Sequence, residues 1–137
     1  MVVDASVVVS RLVRHDVHHE ASRRWLARHV VEGGLVIAPA LLLPEVAGAV
    51  ARRTGEVRLA RRAVEAVLRL PALRLVPVND RLARMAARLA GRLRLRGADA
   101  VYIAAAAELR LPLVTWDIEQ RERGARLVEV LVPADGK

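Results

Sequence analysis

Apolar residues follow two rhythms along this chain. Short unbroken runs alternate with longer stretches in which apolar residues recur every three or four positions. The first pattern predicts strands buried on both faces, and the second predicts helices with one covered face. Val2 and Val3, closed by Asp4 and followed by Ala5, Ser6 and a run of valines, predict a buried strand turning into a helix. Over residues 18–31, Ala21, Trp25, Leu26 and Val30 stand at helical spacing, and Gly33 and Gly34 stop the helix. Residues 35–38 read as a second strand. Pro39 and Pro44 bracket the next helix start, with the helix over 45–53 ending at Thr54 and Gly55. A further helix over 57–70 is ended by Pro71, and 73–78 form a third strand. Asn79 or Asp80 then caps a helix in which Leu82, Met85, Ala86, Leu89 and Leu93 share a face with arginines opposite. After Gly97, Asp99 opens the segment 100–109, which is apolar nearly all round and therefore expected to be buried. Residues 113–115 predict a fourth strand leading to Asp117, and 127–132 a fifth.

Short strands alternating with helices imply βαβ units. The fold class expected is α/β: a three-layer α/β/α sandwich around a central, mainly parallel sheet of four to five strands. A chain of 137 residues suits one domain, 1–137, with no repeat or linker visible. Composition agrees, since 54% hydrophobic and 28% charged residues exclude a disordered chain. Cysteine is absent, which excludes disulfides and thiolate metal sites. The apolar stretch 33–51 carries Pro39, Pro44 and Glu45, so no membrane span is expected, and Asp4 interrupts the only apolar start. The cytoplasm is the expected location.

Charge changes the picture. Lysine plus arginine total 23 against 15 acidic residues, a net +8, and every one of those basic residues except Lys137 is arginine. A polyanionic partner is one reading, because arginine grips phosphate with a planar fork; solvated helix faces filled with arginine are the other. Aromatic residues are limited to Trp25, Tyr102 and Trp116, too few for a sheet that stacks successive bases. Any nucleic-acid affinity must then come from backbone electrostatics and fall with salt.

Most acidic residues lie among arginines on exposed faces. Asp4, Glu45, Asp99 and Asp117 do not: two follow strands and two stand near helix starts. Each alone is explained by capping or by a helix N-terminus. Together they fall at the carboxyl edge of a parallel sheet, where ligands bind. Carboxylates gathered in apolar surroundings repel one another and are costly to desolvate, so a positive charge has to offset them. Hard cations such as Mg²⁺ or Mn²⁺ take oxygen ligands and phosphate, which makes a phosphodiester site the natural reading.

These residues resemble the PIN-domain nucleases, especially the small VapC-like toxins of toxin–antitoxin pairs. The likeness rests on Val-Val-Asp-Ala-Ser at 2–6, Pro44 with Glu45, Gly-Ala-Asp-Ala-Val-Tyr-Ile-Ala at 97–104 and Leu-Val-Thr-Trp-Asp at 113–117, and spans nearly the whole chain. The resemblance implies a metal-dependent ribonuclease. It assigns the catalytic, metal-holding carboxylates to Asp4, Glu45, Asp99 and Asp117, with Ser6 and Thr115 as supporting hydroxyls. Asp4 and Asp99 would hold the main ion, and Glu45 and Asp117 would act through water or a second ion. Trp116 occupies a position expected to vary. The implied partners are RNA, a cognate antitoxin protein and a second copy of the chain, the homodimer being supported by the apolar run 41–50.

Other chemistries compete. His15, His18 and His19, with Asp16 or Glu20, carry zinc-ligand types at a loop and helix start. A haloacid-dehalogenase-like phosphatase needs a second Asp where Ser6 stands, and a response-regulator receiver needs a late lysine where only Lys137 is available. A non-catalytic PIN-like module and a housekeeping RNA-processing nuclease share every motif named here.

Overall fold

The computed structural model describes residues 1–134, and Lys137 lies outside them. In chain order the elements are β1 (Val2–Val3), α1 (Ala5–Leu12), α2 (His19–Val31), β2 (Val36–Pro39), α3 (Leu42–Thr54), α4 (Val57–Leu68), β3 (Leu73–Val76), α5 (Asp80–Leu93), α6 (Gly97–Leu109), β4 (Leu113–Val114), α7 (Ile118–Gly124) and β5 (Val130–Leu131). The five strands form one sheet in the order β3-β2-β1-β4-β5, and every pair is parallel. The three-layer α/β/α class expected from the alternation is the fold observed.

Strand β1 is central. Val2 faces Ile37 on one side and Leu113 on the other, and both β1 valines are fully buried. From β1 the chain winds outward to β2 and β3, then returns to β4 and β5 on the opposite side. That reversal opens a crevice at the carboxyl ends of β1 and β4, the place where parallel sheets receive ligands. Asp4 directly follows β1, and Thr115 to Asp117 directly follow β4.

Helix α6 packs against β1, β2 and β4, and α5 covers α6. Its alanines are small enough to let it sit close to the sheet, and the run from Asp99 to Ala106 is buried throughout. Gly124 brings α7 equally close, because a Cβ there would stand 3.0 Å from the Ile103 side chain. The site-bearing end of β4 is thereby pressed against α6.

Several boundaries differ from the pattern-based expectation. Helix α3 starts at Leu42, ahead of Glu45, because Pro44 falls in the first turn, where its missing N–H breaks no helical bond. Helix α6 starts at Gly97, so Asp99 lies inside the first turn and does not cap it. Of the two candidate caps for α5, Asn79 performs the role, accepting from the Leu82 N–H at 2.9 Å. Strand β3 stops at Val76, before Pro77. Strand β5 is shorter than 127–132, because the N–H groups of Leu127 and Val128 donate to the Gly124 carbonyl in a turn. Within the apolar run 41–50, Leu42, Val46 and Val50 are buried and the partly buried Leu41, Leu43 and Ala49 pack on the core, so much of its apolar surface is used within the protomer.

Candidate functional site

Asp4 anchors the site. Its carboxylate caps α1, with Oδ2 accepting from the Ser6 N–H at 3.1 Å and from the Thr115 hydroxyl at 3.0 Å. Because Thr115 gives its proton to Asp4, the 3.3 Å contact between Ser6 Oγ and Thr115 Oγ1 has Ser6 as donor. Ser6 Oγ accepts in turn from the Trp116 N–H at 3.0 Å, and Thr115 Oγ1 accepts from the Asp117 N–H at 3.0 Å. Two hydroxyls thus tie the end of β1 to the loop after β4. Ser6 and Thr115 act on Asp4 and Asp117 through these bonds.

Asp117 caps α7, accepting from the Gln120 N–H at 2.8 Å. In a capping box the residue at Gln120 would fold back onto the cap's own N–H. Thr115 already satisfies that N–H, which releases the Gln120 carboxamide to turn inward. Its Nε2 donates to Asp99 Oδ1 at 2.8 Å and to Asp4 Oδ1 at 3.1 Å, so one nitrogen bridges two carboxylates from distant parts of the chain. Gln120 is 0% exposed.

At the rim, Arg96 reaches Asp99 at 3.2 Å and Asp117 at 3.5 Å from a side chain that stays 75% exposed. Glu45 stands in the first turn of α3 beside the buried Tyr102 phenol. Neither Glu45 Oε1 nor Tyr102 Oη completes a hydrogen bond of good geometry, but the two groups act on each other: the phenol favours the Glu45 carboxylate, and the carboxylate raises the phenol. Burial raises the Glu45 carboxyl above its ordinary range, and the charges of Asp4 and Asp99 add to this. Asp99 is raised by burial too, with Asp117 and Asp4 adding to the effect against the Gln120 and Arg96 contacts. Burial likewise pushes the Tyr102 phenol far up, with Glu45 and Asp4 next in importance.

All four sequence-nominated carboxylates therefore belong to one electrostatic unit. Asp4 and Asp99 share a donor, Asp99 and Asp117 share Arg96, and Glu45 feels Asp4 and Asp99. Among the described residues, no three His, Cys, Asp or Glu side chains are drawn together closely enough to hold an ion by themselves. The donor chemistry nevertheless fits a hard divalent cation. The groups are oxygen donors, their negative charge is only partly offset by an exposed arginine, and Glu45 Oε1 and Gln120 Oε1 are buried oxygens without a partner. Gln120, Arg96 and Tyr102 were not nominated from the sequence. The Asp-x-x-Gln spacing of a capping box was the one available signal, and it pointed to a local cap.

Among the described residues the histidines form no cluster of metal ligands. His18 stacks on Trp116 with ring centroids 3.8 Å apart, His19 Nδ1 bonds the Ser10 carbonyl, and Asp16 is engaged by Arg53 at 2.6 Å. Trp116 also donates from its indole nitrogen to Ser22 Oγ at 2.7 Å, so it is packed as well as placed at the rim. A cleft of about 460 Å³ opens beside Ser6 and Glu45 and is walled further out by Arg52 and Arg53. A more apolar cleft of about 340 Å³, between Leu12 to His15 and the α3–α4 pair, contains no carboxylate and is separate from this chemistry.

A doubly wound parallel sheet with carboxylates at its switch point defines a class of α/β proteins built to handle charged ligands at that edge. The chain belongs to the PIN domain family, whose model matches residues 1–125. No curated protein matches in sequence. Among solved structures the chain is similar to VapC20 of Mycobacterium tuberculosis, described as a sarcin-ricin loop cleaving toxin, at 24% identity and TM-score 0.77, covering 95% of this chain and 98% of that one. It is similar to FitAcB of Neisseria gonorrhoeae at 20% identity and TM-score 0.72, with 96% of each chain covered. A toxin–antitoxin complex from Klebsiella pneumoniae aligns at 18% identity and TM-score 0.61, covering 98% of each chain. At these identities the likeness establishes the fold.

Proposed function

We propose that this chain is a metal-dependent endoribonuclease that hydrolyses RNA phosphodiester bonds at the edge formed by β1 and β4, and that it serves as the toxin of a toxin–antitoxin pair. The observation that carries the reading is the bridging of Asp4 and Asp99 by one buried amide, with Glu45, which feels their charge, lining a cleft together with Arg52 and Arg53.

Asp4 and Asp99 are the residues that would hold Mg²⁺ or Mn²⁺, with Glu45 and Asp117 contributing through water or a second ion. A divalent ion there supplies Lewis-acid stabilisation of the phosphate and a water of lowered pKa. The chain's own groups do the rest. Thr115 and the Ser6 N–H fix the Asp4 carboxylate in one orientation, leaving Oδ1 turned to Asp99. Arg96 holds Asp99 and Asp117 at the rim, where it can also meet a phosphate. Arg52 lies along the cleft that leads to Glu45, placed to hold the sugar–phosphate backbone by charge.

The partner assignments belong to the same proposal. The Klebsiella neighbour is a toxin–antitoxin complex and the Mycobacterium neighbour a toxin that cleaves the sarcin-ricin loop. They support a neutralising antitoxin and a nucleic-acid substrate of the RNA class; a homodimer and a cytoplasmic location complete the proposal. Among the described residues no helix is long and apolar enough to cross a membrane.

The test is cleavage of RNA by purified protein in Mn²⁺ or Mg²⁺, with EDTA and Asp4→Asn as controls. Cleavage abolished in both controls is expected. Equal cleavage by Asp4→Asn would assign the activity to another site or to a contaminant.

A further inference from the structure

Gln120 is the only glutamine in the chain, and it is buried completely in the acidic site with one end of its carboxamide used and the other idle. Nε2 donates to Asp4 and Asp99, while Oε1 has no described partner. A buried amide oxygen without a hydrogen bond is destabilising, so the position carries a cost that an apolar side chain avoids. The amide's two ends exchange by rotation about one bond. The N–H end is the one that satisfies two carboxylates. Once a cation sits on those carboxylates, the N–H end faces positive charge and the oxygen end becomes the favourable one.

We infer that Gln120 is a further positioning residue of the cation site: its N–H draws Asp4 and Asp99 together, and rotation of the carboxamide offers its Oε1 to the cation or the cation's water shell. The inference rests on the cation reading proposed above and adds to it a neutral ligand from α7, outside the four carboxylates. It also explains how a site with no preformed three-carboxylate cage among the described residues accepts an ion, since a further oxygen donor lies beside Asp4 and Asp99 and needs only a rotation.

The composition makes the test direct. Gln120 and Asn79 are the only side-chain carboxamides, so the side-chain NH₂ region of a nitrogen-15 spectrum contains two pairs of signals, and Gln120→Leu assigns them. Titrating full-length protein with Mg²⁺ alone is expected to shift the Gln120 pair saturably and leave the Asn79 pair in place. In equilibrium dialysis with Mn²⁺, Gln120→Leu is expected to bind about 10-fold or more weakly, the loss typical of an outer partner of a metal ligand. Gln120→Glu is expected to retain binding. If the wild type binds Mn²⁺ in an Asp4-dependent manner while Gln120→Leu binds equally well and the Gln120 signals stay still, the inference fails and the cation site stands. If the wild type binds neither ion, both fail. Should Gln120→Leu not fold, the wild-type titration and Gln120→Glu decide the matter.

Discussion

Thr115 and Asp4 are 111 positions apart in sequence and joined by one hydrogen bond of 3.0 Å, from the Thr115 hydroxyl to Asp4 Oδ2. The same hydroxyl accepts from the Asp117 N–H and contacts Ser6, so a single buried oxygen fixes the ends of β1 and β4 relative to each other. Thr115→Val keeps the shape and removes all three contacts. It is expected to lower stability by about 1–3 kcal/mol, the cost of leaving a buried N–H and a carboxylate oxygen short of partners. Thr115→Ser should restore most of it. Denaturant titration of the two variants checks this, and equal stability of Thr115→Val and wild type would contradict it.

Acid should at first stabilise the metal-free protein. Burial and neighbouring negative charge hold Glu45 and Asp99 above their ordinary values of 4.5 and 3.8, so the folded state binds protons that the unfolded chain does not. Stability therefore rises as pH falls through the raised folded values, and the gain is complete below the ordinary ones. Two groups act in the opposite sense at lower pH. Asp16, despite its partial burial, is held low by the His18 N–H and Arg53, and Glu20 is lowered to about 2 by Arg23 and Arg24. Their contribution is present above their unfolded values and lost as pH falls towards the lowered ones. Melting temperature in EDTA should thus rise at first as pH falls from neutral and decline again in stronger acid. A steady fall in melting temperature from pH 7 downward would contradict the shared burial of Glu45 and Asp99.

RNA affinity should depend on salt through the cleft arginines. Arg52 borders the cleft beside Glu45, and Arg53 next to it is already engaged by Asp16. Removing one phosphate contact to a single strand lowers the slope of log affinity against log salt by about 0.7. Arg52→Ala, in an Asp4→Asn background to prevent cleavage, is expected to show that reduction. An unchanged slope would remove Arg52 from the RNA path.

The histidine cluster should be dispensable for chemistry. With His18 stacked on Trp116 and His19 bonded to a carbonyl, the double variant His15→Ala, His18→Ala is expected to lose about 0.5–1.5 kcal/mol from the lost ring contact and to retain cleavage. A folded double variant with no activity would restore a histidine-based chemistry.

The fold was legible wherever burial imposes a simple pattern. Val2 and Val3 read as a strand because both faces of a central parallel strand are covered, and segment 100–109 read as a buried helix because alanine and branched residues surround it. The carboxylates were legible because Asp4 and Asp117 directly follow strands, and chain order alone places strand ends at one edge. Boundaries set by local exceptions were not: Pro44 is harmless in a first turn, and Gly97 rather than Asp99 starts α6. Gln120 was hidden for a more instructive reason. Its spacing from Asp117 is that of a capping box, and only the structure reveals that Thr115 has taken over the cap's N–H and set the glutamine free.

The central claim is that Asp4 and Asp99 share one divalent cation. Crystals grown with Mn²⁺ and measured at the manganese absorption edge locate that ion directly. The expected result is an anomalous peak between the Asp4 and Asp99 carboxylates, within reach of Gln120. A peak elsewhere, or none in protein that cleaves RNA with Mn²⁺, would contradict it.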